Sequence, residues 1–268
     1  MGTFRIRSDM AALLTFAMLG AFPAPSVAVP PCVGPSCGLP LDHFKCYQAR
    51  TTPNTTKFTP LFVDVQDQFA TNTGVLVKRP DKVCNPVSKN GSPVIDSTAH
   101  LACYATKPTK ILKQDIVINN QFGKQTLTVL KPYQICLPTK KGVAPAPPQP
   151  SALLVDHFRC YKAKPAKGSF VVENVPVTLA DQFETRPALV MKCLRYCTPV
   201  DKNGEGIMNA SGHLTCYKLI RDPNDLALPF PRKDLNIDNQ FGPDQVTARP
   251  LPHLCVPTVQ SPSGAFLD

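Results

Sequence analysis

The residues of this chain best able to do chemistry are its eleven cysteines and five histidines, and most of them recur. Cys46, Cys103, Cys160 and Cys216 stand 57, 57 and 56 residues apart, each just before a tyrosine and three residues after His43, His100, His157 or His213. A second motif follows each copy: Asp67-Gln68-Phe69, Asn120-Gln121-Phe122, Asp181-Gln182-Phe183 and Asn239-Gln240-Phe241. The third motif places Cys84, Cys136, Cys197 and Cys255 two residues before a proline. Cysteine at this density in an exported chain forms a disulfide framework. The favoured pairing closes each repeat on itself: Cys46–Cys84, Cys103–Cys136, Cys160–Cys197 and Cys216–Cys255. Each half of the chain permits two other pairings, and those stay open. Bridges over loops of this length contribute about 3–4.5 kcal/mol each in the chain-entropy estimate.

Cys32 and Cys37 bracket a short proline- and glycine-punctuated stretch, where a local Cys32–Cys37 bridge is the simple expectation. Cys193 falls outside the repeat. With Cys197 it forms Cys-x3-Cys, which lacks the redox Cys-x-x-Cys spacing. An odd cysteine count leaves one thiol over, and Cys193 is the candidate.

Four recurring histidines invite a metal site with imidazoles meeting across a pseudo-axis. Against it, His and Cys three apart on a strand face opposite sides, and no carboxylate recurs in all four copies. Structural histidines beside tyrosines are the better reading. The Asp67 and Asp181 carboxylates could act as acid or base, yet Asn120 and Asn239 occupy the equivalent points, so the shared requirement reads as hydrogen-bonding shape. No nucleophile elbow, phosphate loop, zinc-protease helix or haem motif is present, so no catalytic, cofactor or metal residue is assigned. The absence of tryptophan lowers the odds of a sugar-binding platform.

These motifs need elements to hold them. The local signals are for short strands rich in β-branched and aromatic residues, with Lys89-Asn90-Gly91 and Lys202-Asn203-Gly204 as tight turns. On such a strand Phe44 and Cys46 share one face while His43, Lys45 and Tyr47 share the other. Copies one and three are most alike, as are copies two and four, so a half-unit doubled and the product doubled again. The expected fold is all-β: two tandem pseudo-two-fold β-barrel or β-sandwich domains of about six strands each, stabilised by disulfides.

The expected segments are a leader over 1–28, an arm over 29–40, a first domain over 41–141, a proline-rich linker over 142–151, a second domain over 152–260 and a tail over 261–268. Arg5 and Arg7, an apolar run from Met10 to Phe22 and Ser26-Val27-Ala28 make the leader a secretory signal. No later apolar run is long enough to span a bilayer. The formal charge of +10 favours anionic surfaces and polymers, but its even spread gives no nucleic-acid stripe.

The motif set in paired halves resembles an uncharacterised family of exported bacterial proteins known only as a domain of unknown function, present twice here. The resemblance implies a secreted, Gram-negative, cysteine-rich β-module and carries no activity or cofactor. The expectation is an exported non-catalytic binding or structural module of the envelope or extracellular space, periplasmic or beyond. The contrasting expectations are a secreted hydrolase acting on envelope polymers, with Glu205, Asp201 and Lys202 as its only loose candidates, and a metal-binding protein.

Overall fold

The computed structural model describes residues 41–149 and 155–261, besides Met1, and places them beyond Met1 in one compact unit. The leader, the arm with Cys32 and Cys37, and the tail beyond Ser261 lie outside the described residues. All regular structure among the described residues is strand. The first repeat gives β1 (Phe44–Thr51), β2 (Leu61–Gln66), β3 (Thr71–Pro86) and β4 (Ser88–Lys89). The second gives β5 (His100–Thr106), β6 (Gln114–Asn120) and β7 (Gly123–Val143). The third gives β8 (Phe158–Pro165), β9 (Val175–Ala180), β10 (Thr185–Pro199) and β11 (Asp201–Lys202), and the fourth β12 (His213–Arg221), β13 (Lys233–Asn239) and β14 (Gly242–Gln260).

The pairing closes a ring. β1 pairs β3, β3 pairs β5, β5 pairs β7 and β7 pairs β8. From there β8 pairs β10, β10 pairs β12, β12 pairs β14, and β14 returns to β1. Eight antiparallel strands in chain order therefore form one barrel, to which every repeat gives its first strand and its long strand. This corrects the expectation of two tandem six-stranded domains. A first strand needs a neighbour on each edge, and takes its own long strand on one side and the preceding repeat's on the other. Neither half can satisfy its edges alone.

Each long strand is interrupted near the barrel mouth. Register shifts fall at Pro80/Lys82, Pro132/Gln134 and Cys193/Arg195, where an extra residue bends the strand. The first two sites carry proline, which has no N–H to give a ladder. Beyond the bend, each long strand and the second strand of its repeat form a hairpin. These hairpins reach the repeat two further on: β11 pairs β2, β4 pairs β9, β7 pairs β13 and β14 pairs β6.

The linker is not the extended spacer that its prolines suggest. Gly142 and Val143 finish β7 against β13, and Gln149 bridges back to Lys141. Gly142 lies against the Pro147 carbonyl with no room for a Cβ.

Strand alternation divides the interior into three cores. Phe44, Leu101, Phe158, Leu214 and the eight repeat cysteines fill the barrel. On the outer face, Tyr47 and Tyr104 join one apolar cluster with Val77, Leu235 and Val246, while Tyr161 and Tyr217 join another with Ile118, Leu127 and Val190.

Candidate functional site

The inside of the barrel is layered along its axis. Phe44, Leu101, Phe158 and Leu214 form an apolar floor, and the cysteines form the layer above it. Cys46 and Cys84, Cys103 and Cys136, Cys160 and Cys197, and Cys216 and Cys255 stand directly opposite on neighbouring strands, and each pair is a disulfide. Successive bridges nearly touch: Cys46 Sγ is 3.7 Å from Cys255 Sγ, Cys84 Sγ 4.0 Å from Cys103 Sγ, and Cys136 Sγ 3.8 Å from Cys160 Sγ. The void lined by these bridges together with Lys82, Gln134 and Arg195 measures about 20 Å³, room for roughly one water molecule.

Two residues above the long-strand cysteines, on the same inward face, come Lys82, Gln134, Arg195 and His253. Pairing between the two strands of each repeat stops at this layer, at Gln48↔Lys82, Ala105↔Gln134, Lys162↔Arg195 and Lys218↔His253. The barrel opens here. Lys162 and Lys218 are exposed at the rim. The Tyr133 ring lies 5.4 Å from the Arg195 guanidinium and 5.9 Å from Lys162 Nζ.

Charge at this mouth is one-sided. Burial, with Arg195 nearby, drives the Lys82 ammonium down to about 7. Burial also lowers Arg195, to about 10. His253 falls to about 2 through burial and the positive charges of Arg195, Lys82 and Lys218. Asp81 is the acid that acts on both Lys82 and Arg195. It faces Arg50 at 3.2 Å and accepts from Gln134 Nε2 at 2.9 Å. Among the described residues neither Lys82 nor Arg195 makes a salt bridge, and Arg195 Nε and His253 Nδ1 are buried without a hydrogen-bond partner. Asp81 is thus the one acid of the described residues whose charge reaches both cations, and it forms a salt bridge with neither.

The repeated motifs have a different role. In all four copies the Asx Oδ1 accepts the backbone N–H of the following phenylalanine, at 2.8, 2.9, 3.0 and 2.9 Å. The other Asx atom meets the tyrosine hydroxyl of the repeat two further on. Tyr47 donates to Asp181 at 2.8 Å and Tyr161 to Asp67 at 2.5 Å, whereas Asn120 and Asn239 donate to Tyr217 at 2.9 Å and Tyr104 at 2.8 Å. Each phenylalanine packs on that tyrosine with ring centroids 4.9–5.2 Å apart. The shape requirement read from the sequence is therefore refined: aspartate replaces asparagine where a cation is close. Arg159 lies 3.6 Å from Asp67, and Lys141 lies in the field of Asp181.

The histidines whose partners are seen meet polar or aromatic side chains instead of one another. His43 bonds Gln121, His157 contacts Glu205 at 2.8 Å, and His213 stacks near Tyr196 at 5.4 Å. Burial keeps His100 down at about 3 and His213 at about 4. Among the described residues no group of three or more His, Cys, Asp or Glu side chains is arranged to hold a metal.

Glu205, Asp201 and Lys202 are not a merely solvated turn. Asn203 (φ 57°) and Gly204 (φ 79°) make the left-handed turn that the Asn-Gly pair demands, and Asp201 and Lys202 pair with β2. Glu205 takes hydrogen bonds from Lys202, from Gln240 at 2.9 Å and from His157. Burial raises its carboxyl, but those bonds outweigh it and hold the group at about 2. The cluster clasps three repeats together. Cys193 is unpaired and buried, which pushes its thiol up to about 12. A group so protonated is a poor nucleophile.

The chain thus defines a class by its geometry: a closed eight-stranded antiparallel barrel with a disulfide-filled interior and a basic open end. No protein-family model, curated protein sequence or solved structure matches it, so the family resemblance rests on the three motifs alone.

Proposed function

We propose that this is an exported, non-catalytic binding module of the cell envelope or extracellular space, and that it meets an anionic ligand at the open end of the barrel. The observation that carries the reading is the pair of inward cations, Lys82 and Arg195, neither in a salt bridge. The four disulfides suit an oxidising compartment. Repeat duplication supplies the scaffold, and the one layer where its copies carry four unlike polar groups is the mouth.

The test is retention on dextran sulfate and polyglutamate against neutral dextran, at low and raised salt. The wild type is retained on the charged polymers, and Lys82→Met/Arg195→Met loses most of that retention. A control altering exposed Lys110 and Lys113 to glutamine keeps it. Equal retention of all three proteins would place binding on the general basic surface and sink the assignment of the site.

A hydrolase is the second reading, favoured by His157, Lys202 and Glu205 as unlike groups gathered in one repeat. Their mutual satisfaction argues for a clasp. Glu205→Gln that abolishes turnover of an envelope polymer while leaving thermal stability intact would reverse the preference.

A further inference from the structure

We propose that the barrel mouth holds a single tetrahedral oxyanion, a phosphate or sulfate group, on the barrel axis between Lys82 and Arg195. This deepens the binding function proposed above and rests on it.

The strand order carries the argument. Around the ring, β3 and β10 are separated by β5, β7 and β8 on one side and by β12, β14 and β1 on the other, so they stand on opposite walls. β7 and β14 are opposite in the same way. Lys82 therefore faces Arg195, and Gln134 faces His253. An eight-stranded barrel is only wide enough inside for its side chains, so groups from opposite walls share one space near the axis. Arg195 lowers Lys82, and both lower His253, which shows the same convergence as a repulsion.

A ligand that relieves this repulsion must be negative and must accept hydrogen bonds from several directions. Phosphate and sulfate do so with four oxygens, whereas a carboxylate presents two in one plane. Gln134 gives one N–H to Asp81, and Arg195 Nε and His253 Nδ1 are buried without a partner, so these two groups and the Lys82 ammonium are the donors offered to the anion. His253 donates both nitrogens once an anion allows it to protonate. Lys82, Gln134 and Arg195 line, together with the disulfides below them, a void of about 20 Å³ that admits nothing larger than a water molecule, so the anion sits above it, at the opening. Only the charged end of a ligand can enter. The remainder lies over the rim, where Lys162, Lys218 and Tyr133 stand.

The experiment is calorimetric and NMR titration of the whole exported protein with inorganic phosphate, sulfate and acetate. One saturable site is expected for phosphate and sulfate, about tenfold or more tighter than for acetate. Lys82→Met and Arg195→Met should each weaken it by about tenfold, Arg195→Lys by less, and Lys162→Ala by only a few-fold. Disulfide content and melting behaviour of each variant confirm the fold. Acetate binding as tightly as phosphate, or phosphate binding unaffected by Lys82→Met, overturns the proposal. If neither oxyanion binds while polymer retention still depends on Lys82 and Arg195, the oxyanion site falls and the broader binding function stands. Loss of both results removes both. The tighter of phosphate and sulfate identifies the headgroup to seek in larger ligands.

Discussion

Two regions of this protein bury positive charge, and they treat it differently. In the outer layers, Lys45 meets Glu184 at 2.8 Å, Arg159 meets Asp67 at 3.6 Å, and Lys202 meets Glu205. Lys141 is held by Asn85 Oδ1 at 2.6 Å and by Gln182 Oε1. At the barrel mouth, Lys82 and Arg195 have no such partner, and the nearest acid is committed to Arg50 and Gln134. The outer pairs lock one repeat to another. The mouth residues repel one another within a scaffold that four disulfides already hold closed. Buried charge with a partner serves assembly here, and charge without one is where we propose that a ligand binds.

The largest effect should come from breaking an outer pair. Glu184→Ala strands Lys45, which is 3% exposed, and should cost about 3–5 kcal/mol in urea denaturation. A smaller loss would mean that the outer cations are no better paired than those at the mouth. Asp67→Asn is gentler, since Asn120 shows that an amide can make the same turn, but it removes the charge facing Arg159. A loss of about 1–3 kcal/mol is expected, and Asp67→Ala should exceed it because the turn is lost as well.

Acid separates the regions next. His100, His213 and His253 are held below their ordinary value, at about 3, 4 and 2. The unfolded chain therefore takes up protons below about pH 6.5 that the folded chain refuses, and stability should fall as pH drops from there toward 4. Each imidazole kept neutral accounts for about 1.4 kcal/mol per pH unit in that window. Arg195→Met should raise the His253 pKa, read by NMR, and leave His100 and His213 in place. Movement of all three would show that the mouth is not electrostatically separate.

The last effect lies on the alkaline side. The folded-state pKa of Lys82 is lowered to about 7 from an ordinary 10.5, so the unfolded chain binds the extra proton between those values and stability should rise with pH across them. Lys82→Met should remove part of that rise. Lys141, also lowered to about 7, should supply the remainder. An unchanged slope in the variant would place a full charge on Lys82 and remove the contrast.

Much of the scaffold was legible because it is local. The spacing of Cys46, Cys103, Cys160 and Cys216 reveals the repeats, and alternation places Phe44 and Cys46 on the face opposite Tyr47. Which repeat touches which was not legible. Tyr47 meets Asp181 and Tyr161 meets Asp67 only because hairpins fold over the barrel to the repeat two further on, a non-local pairing that no window of sequence contains. The proline-rich segment after Lys141 misled for the same reason: composition suggests a spacer, while Gly142 and Val143 are held by β13. The mouth escaped a search for shared residues because its four positions share none. A signal was present nonetheless. Two residues before each third-motif cysteine, where alternation demands another inward residue, the chain places Lys82, Gln134, Arg195 and His253 in turn. Polar residues at a core position, unlike in every copy, are a functional pattern in their own right.

The most direct test is urea denaturation of the wild type and of Lys82→Met/Arg195→Met, each with and without phosphate. Without phosphate the variant should be as stable as the wild type or more stable, by up to about 4 kcal/mol, because desolvated positive charge that forms no salt bridge has been removed. With phosphate the wild type alone should gain stability. A variant that loses several kcal/mol without phosphate, as Glu184→Ala should, would show that Lys82 and Arg195 are structural residues and would contradict the assignment of the mouth as the binding site.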